Sequence, residues 1–287
     1  MLSHVCSNWR RVAIDTPSLW RDIDISLSME YDALEHFCSS VFPRVKGHPC
    51  TIRIRDINFI GMDDDNEHPV HCCKILPDME VTELKICFRV QGEYDDPELI
   101  EYLEGVEGKV RGLVLDSGTV DDGRMDEPWD LWRVVSPLSH LRRISLWCVD
   151  ATLSVSSQTL PLIEELEMEN VEGSLALGDL LHMFPNLRRF KFTERGDRYW
   201  DVNETRSRAA THSKLREMHF TSVDMIGWAS TGATAARSLF PSLIHLEVHD
   251  DTDLDIFLEE RTHRRVRRLV VGGAKYESRE EYLATLR

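Results

Sequence analysis

The sequence Phe184-Pro-Asn-Leu-Arg-Arg-Phe-Lys-Phe192 decides the fold. Leu187, Phe190 and Phe192 follow the spacing L-x-x-L-x-L, which begins at a helical interval and ends at the alternation of a strand. Neither a pure helix nor a pure strand gives this spacing. It predicts a short β-strand, entered by a turn at Pro185, whose last two apolar side chains point into one core.

The same spacing recurs along the chain. Successive copies begin 22 to 31 residues apart. The other triplets are Val81/Leu84/Ile86, Val110/Leu113/Leu115, Leu141/Ile144/Leu146, Ile163/Leu166/Met168, Leu215/Met218/Phe220, Leu243/Leu246/Val248 and Val266/Leu269/Val271. Eight copies at such intervals indicate structural repeats that stack on one another.

These copies resemble leucine-rich repeats. The resemblance implies an α/β fold, an irregular leucine-rich-repeat solenoid whose curved parallel sheet carries helices and loops on its convex side. The family's Asn or Cys three residues after the last apolar position is missing, for example at Val149 and Val171, so we expect an irregular arc. Helices are predicted at 97–106, 130–138, 175–184, 234–240, 254–262 and 277–287, and loops at 61–73, 116–127 and 197–213.

The first twenty residues carry a second informative pattern. Leu2, Val5, Cys6, Trp9 and Ala13 fall on one stripe of a helix, and Pro17 ends that helix. Leu19 and Trp20 are then expected to fold back as apolar anchors. The next segment alternates at 22–25, carries a helical stripe from Tyr31 to Val45 that ends at Pro43 or Gly47, and alternates again at 51–55. It predicts strand, helix and strand.

Residues 5–20 resemble the second half of an F-box of the fungal F-box/leucine-rich-repeat type. The resemblance rests on V-C-x-x-W-R-x-x-A followed by T-P-x-L-W, at Val5, Cys6, Trp9, Arg10, Ala13, Thr16, Pro17, Leu19 and Trp20. It implies docking onto the adaptor subunit of an SCF-type cullin-RING ubiquitin ligase, with an adaptor side formed by Leu2, Val5, Cys6, Trp9, Arg10, Pro17 and Trp20.

We therefore divide the chain into a partial F-box-like helix and turn at 1–21 and a leucine-rich-repeat-like solenoid at 22–287. The opening L-P-x-E segment of the motif does not occur in the sequence, so adaptor binding is expected to be weakened or lost if the F-box is truncated. The alternative for residues 2–20 is a helix that caps the first repeat.

Composition narrows the choice of partners. The formal charge of −16 disfavours nucleic acid and anionic lipid. No apolar run reaches the roughly 20 residues of a membrane helix, and no signal peptide is recognisable, so we expect a cytoplasmic or nuclear protein. Seven cysteines without a C-x-x-C motif are typical of a reducing compartment.

Side chains between the apolar positions of each strand should point out of the sheet. We expect a partner-binding concave face here, built by Arg143, Trp147, Glu167, Lys191, His219 and Glu247. An outward tryptophan beside an arginine is typical of a binding hot spot. The competing interpretation is a ladder of ion pairs that keeps neighbouring strands in register.

Metal and catalytic chemistry have weak signals. His68, His71, Cys72 and Cys73 are of zinc-ligand type but lack finger spacing, and His219, His245 and His249 favour a solvated cluster over a metal patch. No G-x-S-x-G, phosphate-binding glycine loop or H-E-x-x-H occurs. We predict no enzyme activity, no metal and no cofactor.

The sequence therefore predicts a protein-binding F-box/leucine-rich-repeat-like protein that captures an unknown protein substrate on its concave face for ubiquitination. The alternative is a stand-alone repeat scaffold without a ubiquitin link.

Overall fold

The computed structural model describes residues 7–26, 31–45, 47–58, 84–91, 110–116, 129–130, 135–149, 151–152, 159–171, 177–193, 211–220, 240–249, 254, 258 and 265–285. The chain divides into two compact units. The first contains Met1–Asp126 and Arg133–Leu141, and the second contains Glu127–Trp132 and Arg142–Arg287. Each unit is α/β, and the sheet within each is mostly parallel.

The first unit follows the predicted order of helix, turn, strand, helix and strand. Its elements are α1 (Ser7–Asp15), a 3₁₀ turn (Pro17–Trp20), β1 (Asp22–Ser26), α2 (Tyr31–Val45), β2 (Cys50–Asn58), β3 (Leu84–Gln91) and β4 (Val110–Asp116). These strands lie side by side in chain order, and all neighbours are parallel. The strand, helix and strand predicted within 22–60 are confirmed.

Two local signals set the ends of these helices. α1 stops at Asp15, before the predicted breaker Pro17. α2 contains Pro43 and continues to Val45, so Pro43 does not end it. Gly47 follows with a φ of 73°, and the N–H of His48 donates to the carbonyl of Val45 at 3.1 Å. Gly47 is therefore the effective stop, because glycine adopts this left-handed conformation without strain.

Trp20 anchors the 3₁₀ turn onto α1. Its indole N–H donates to the carbonyl of Ala13 at 2.6 Å, and the guanidinium of Arg44 lies 4.6 Å from its ring centre. The predicted folding back of Trp20 is confirmed. The same prediction is wrong for Leu19, whose residue surface is 53% exposed, because the turn directs that side chain away from the helix.

Trp9 also departs from the predicted apolar stripe. It is 60% exposed, whereas Ala13, one turn later, is buried. Trp20 contacts α1 at Ala13, near the carboxyl-terminal end of the helix. Trp9 lies one turn closer to the start of the helix than this contact. Leu2, Val5 and Cys6 lie outside the described residues.

The second unit contains the remaining elements. They are β5 (Trp129–Asp130), β6 (Arg143–Trp147), β7 (Ala151–Thr152), β8 (Glu165–Glu169), α3 (Leu177–Met183), β9 (Arg189–Thr193), β10 (Glu217–Phe220), β11 (His245–Val248), β12 (Arg268–Val271), β13 (Ala274–Tyr276) and α4 (Arg279–Thr285). Its main sheet has the order β6-β8-β9-β10-β11-β12-β13, and only β13 is antiparallel to its neighbour. β5 and β7 form a separate two-stranded pair.

The L-x-x-L-x-L residues take the same positions in successive strands of this sheet. The N–H of Leu187 donates to the carbonyl of Phe184 at 3.1 Å, and Leu243 repeats this bond to Phe240 at 3.1 Å. Both bonds close a turn with proline at its second position, where the fixed φ of proline fits. The first apolar residue of the triplet is thus buried under the turn, and the other two are buried from the strand. Phe190 and Phe192 of β9 are both buried in this way, as predicted.

Register aligns the buried positions across the sheet. Leu166, Phe190, Met218, Leu246 and Leu269 are successive Cα partners from β8 to β12. The carbonyl of Arg142 accepts both the N–H of Glu164 at 2.8 Å and the N–H of Glu165 at 3.1 Å, and the same two-donor bond recurs before β9, β10, β11 and β12. The five strands from β8 to β12 therefore enter the sheet through the same backbone contact.

The helix predictions have mixed outcomes. α3 and α4 confirm the helices at 175–184 and 277–287. Leu254 and Leu258 are helical and buried, and the rest of 254–262 lies outside the described residues. The start of the helix at 130–138 is wrong, because Asp130 lies in β5. Val135 is helical, the chain turns at 136–137, and 131–134 lie outside the described residues. The predictions at 61–73, 97–106, 117–127, 197–210 and 234–239 lie outside the described residues.

The edge strand β13 has no counterpart in the sequence prediction. Gly272 and Gly273 join it to β12 with φ values of 54° and 87°. Two consecutive positive φ values are typical of the two-residue hairpin turn, which glycine permits. Within the described residues, no helix is both long enough and apolar enough to cross a membrane.

Candidate functional site

The exposed side of the second unit's sheet carries mostly polar side chains, and we call it the polar face. It arises from strand alternation, because Ile144 and Leu146 in β6, for example, turn inward and leave their neighbours outside. The polar face consists of Arg143, Ser145, Trp147, Glu165, Glu167, Glu169, Arg189, Lys191, Thr193, Glu217, His219, His245, Glu247 and His249. All six residues predicted for the concave face lie in this set.

A row of alternating charges crosses the first positions of the strands. Glu165 Oε2 lies 3.4 Å from Arg143 Nε and 3.5 Å from Arg189 Nη1. Arg189 Nε donates to Glu217 Oε2 at 2.8 Å, and this hydrogen bond raises the pKa of Arg189 above its usual value. The predicted ion-pair ladder is therefore present here. Each pair contributes about 0.2–1 kcal/mol, because these side chains remain largely solvated.

The second row is less evenly paired. Lys191 donates to Glu167, its register partner on the neighbouring strand. His219 faces Glu247, with Nδ1 3.4 Å from Oε2. Nε2 of His219 is buried and has no hydrogen-bond partner among the described residues. The ladder thus leaves one donor or acceptor of this row unused.

Histidine chemistry concentrates at this point of the polar face. The rings of His219 and His249 are 5.6 Å apart between centroids. Burial lowers the pKa of His219, the carboxylate of Glu247 opposes that shift, and Lys191, His249 and His245 add to it. His245 itself is the register partner of Glu217. The structure therefore groups His219 and His249 with Glu247, and not the three histidines singled out in the sequence.

Trp147 lies at the end of β6 and is 36% exposed. Its register partner on β8 is Glu169, and Arg143 lies on the same side of β6. The predicted outward tryptophan is confirmed. A large aromatic side chain at the margin of a charged surface offers apolar area that a partner can bury.

Sequence reasoning missed His212, which is buried in the turn before β10. Its Nε2–H donates to the carbonyl of Phe184 at 3.0 Å, and its Nδ1 accepts the N–H of Leu215 at 3.2 Å. In the other turns, that N–H bonds to a backbone carbonyl three residues earlier. The side chain of His212 replaces that carbonyl and also joins two successive turns. Burial lowers its pKa.

Cys148 and Asn170 also escaped the sequence analysis. Each follows its strand by one residue and has a φ of 52°. The amide of Asn170 donates to Sγ of Cys148 at 3.7 Å, and the N–H of Cys148 donates to the carbonyl of Glu169 at 2.8 Å. The Asn or Cys of the leucine-rich-repeat pattern was expected three residues after the last apolar residue, whereas this pair occupies the position two residues after it.

The F-box-like segment is a second candidate site, in the first unit. On α1, Trp9 and Val12 lie three residues apart and so on one side, and Val12 is 49% exposed. Pro17 begins the 3₁₀ turn, and Trp20 is partly buried against α1. The side chain of Arg10 lies outside the description. The segment therefore presents apolar surface at Trp9, Val12 and Leu19.

No family model matches the chain, and no curated protein matches it in sequence.

Proposed function

We propose that this chain is a protein-binding protein with an irregular leucine-rich-repeat solenoid, and that it is the substrate-recognition subunit of an SCF-type cullin-RING ubiquitin ligase. The polar face is the observation that carries the proposal. It exposes rows of charged side chains and Trp147 on a parallel sheet. The ubiquitin chemistry belongs to other subunits, and this chain supplies proximity.

Regular positions across the second unit support the solenoid. Leu187 and Leu243 are each held by the same turn, and the strands enter the sheet through the same two-donor carbonyl contact. Phe190 and Leu246 lie at equivalent buried positions of β9 and β11, each in register with Met218. Repeats that cannot bury their apolar residues alone bury them by stacking, which gives this regularity.

The unsatisfied groups of the polar face favour a partner over a purely structural ladder. Nε2 of His219 and Oγ1 of Thr193 are buried atoms without a hydrogen-bond partner among the described residues. The ion-pair ladder does not use either atom. Rotation of these two side chains on binding would bring both atoms to polar groups of a bound protein, and Trp147 can supply the apolar anchor of the same interface.

A pull-down from cells with inhibited proteasomes tests partner capture. Trp147→Ala should reduce the recovery of captured proteins and lower the affinity of an identified one about 10- to 30-fold, as expected for a hot-spot tryptophan. Leu162→Ala is the matched control, because Leu162 is also an exposed apolar residue of the second unit but lies in the turn before β8. Equal recovery by the folded Trp147→Ala variant and its control would show that partners bind elsewhere.

The adaptor assignment rests on the F-box resemblance and on the exposed apolar side of α1. A purified SCF adaptor subunit should bind the chain, and Trp9→Ala and Val12→Ala should each weaken that binding. Arg11→Ala is the control on the same helix, since Arg11 is exposed as well. Failure of the adaptor to bind this chain, together with binding to a version carrying a complete F-box, would leave a stand-alone protein-interaction scaffold.

A further inference from the structure

His219, Glu247 and His249 form a compact set of metal-ligand side chains on the polar face. One ring nitrogen of each histidine and one carboxylate oxygen of Glu247 lie within 4.8 Å of one another. Among the described residues, this is the cluster of three or more His, Cys, Asp or Glu side chains with that geometry. We call it the His₂Glu cluster.

Strand geometry produces the cluster. Glu247 lies in β11 and His249 follows two residues later, so both side chains point to the same side of the sheet. His219 lies on the neighbouring parallel strand as the register partner of Glu247. The sheet therefore fixes the three Cα atoms, and only side-chain rotations remain to be set.

Strand β12, which flanks β11 on the side away from β10, leaves the cluster open. Val270 of β12 is the register partner of Glu247, and Gly272 lies two residues after Val270. The N–H of Gly272 donates to the carbonyl of Val248 at 3.0 Å, which holds this side chain-free residue beside the end of β11. Neither residue places a competing donor or a cation against Glu247 or His249.

The charges around the cluster permit a bound cation. Lys191, which lies opposite His219 on β9, is ion-paired with Glu167. Glu217, which lies two residues before His219 on β10, adds a negative charge. Arg268 is the register partner of His245, which lies two residues before Glu247. Glu247 is ion-paired with His219, which also serves as a ligand in the cluster.

We propose that the His₂Glu cluster binds one divalent transition-metal ion of the zinc type. Two imidazoles and one carboxylate are a ligand set that zinc accepts, with a fourth position left open. Zinc bonds of about 2.0–2.2 Å in tetrahedral geometry require ligand atoms roughly 3.3 Å apart. The rings of His219 and His249 lie 5.6 Å apart between centroids, and His249 is exposed, so its ring can rotate toward the ion. The site does not depend on the proposed ubiquitin-ligase role.

Titration of the metal-free full chain with Zn²⁺, followed by calorimetry, tests the proposal. One equivalent should bind, and Co²⁺ in its place should give visible ligand-field bands typical of low coordination. His249→Ala and Glu247→Gln should each lower the affinity at least about 10-fold, since each removes a ligand. The fold of each variant is checked by circular dichroism.

His245→Ala is the matched control. His245 lies on the same strand and the same side, two residues before Glu247, but outside the cluster. Its removal should change the Zn²⁺ affinity by less than about threefold. Absence of saturable Zn²⁺ binding overturns the proposal. So does binding that survives the double variant His219→Ala/His249→Ala, or binding that is lost when Cys72 and Cys73 are replaced by serine while the cluster is intact.

Discussion

Replacement of His212 by alanine should destabilise the second unit strongly, because two hydrogen bonds disappear at a buried position. The N–H of Leu215 loses its acceptor, Nδ1, which lay 3.2 Å away. A buried donor left in this way costs about 1–3 kcal/mol. The carbonyl of Phe184 loses the donor at 3.0 Å but keeps the N–H of Leu187, so its loss is nearer about 1 kcal/mol. The expected decrease in the free energy of unfolding is roughly 2–4 kcal/mol in total.

The effect should depend on pH in a defined direction. Burial lowers the pKa of His212 below that of the unfolded chain, and Lys214 is the charged neighbour that lowers it further. The neutral ring therefore contributes its full stabilisation above the unfolded pKa of about 6.5. As the pH falls below that value toward the folded pKa, the wild type loses this stability by up to about 1.4 kcal/mol per pH unit. The alanine variant has no such loss, so the two proteins should converge in acid.

Urea unfolding at about pH 7.5 and about pH 5.5, followed by circular dichroism, measures both effects. His182→Ala is the control, because His182 belongs to the same unit but is exposed on α3. It should change stability by less than about 0.5 kcal/mol. A His212→Ala protein as stable as the control, or a difference that grows in acid, would refute the buried neutral histidine.

Two further predictions concern the packing of the first unit and the reactivity of cysteine. A Cβ at Gly112 would lie 2.8 Å from Cγ of Lys85, so Gly112→Val should lower the free energy of unfolding by roughly 1–3 kcal/mol. Lys85→Ala should recover part of that loss in a double-mutant cycle, and simple additivity would contradict the contact. Among the three cysteines whose side chains the structure describes, Cys148 should react with iodoacetamide before Cys38 and Cys50, because both of the latter are buried. Burial, with a smaller contribution from Asp22, raises the pKa of the Cys50 thiol to about 11, and peptide mass spectrometry would contradict the order if Cys50 were alkylated first.

The strands could be predicted from sequence because their spacing encodes both a turn and an alternation. Phe184, Pro185 and Leu187 specify the turn, and Phe190 and Phe192 specify the buried side of β9. Each of these choices depends on residues within one short segment. Local information was therefore sufficient for the parallel strands of the second unit.

Features that depend on distant partners could not be predicted in this way. β13 has no apolar alternation, and its pairing follows from the Gly272-Gly273 turn and the free edge of β12. β5 and β7 have two residues each, which is too short for a periodic signal. The burial of His212 is set by the carbonyl of Phe184, 28 residues earlier.

The candidate site was predictable in outline only. Alternation identified the exposed side, and Trp147 and Lys191 lie there as expected. Register decided the neighbours: His219 faces Glu247, and His245 faces Glu217. A one-residue change of register would have produced a different cluster, so the His₂Glu geometry could not be read from the spacing of histidines alone.

Native-state cysteine labelling along β8 and β9 tests the central claim most directly, which is that the L-x-x-L-x-L strands bury one side and leave the other side open for a partner. Single cysteines replace Leu166, Glu167, Phe190 and Lys191, and a short pulse of thiol reagent is compared with the unsubstituted chain. We predict fast labelling at positions 167 and 191 and protection at positions 166 and 190. Equal labelling at all four positions, or protection at 167 and 191 instead, would contradict the account.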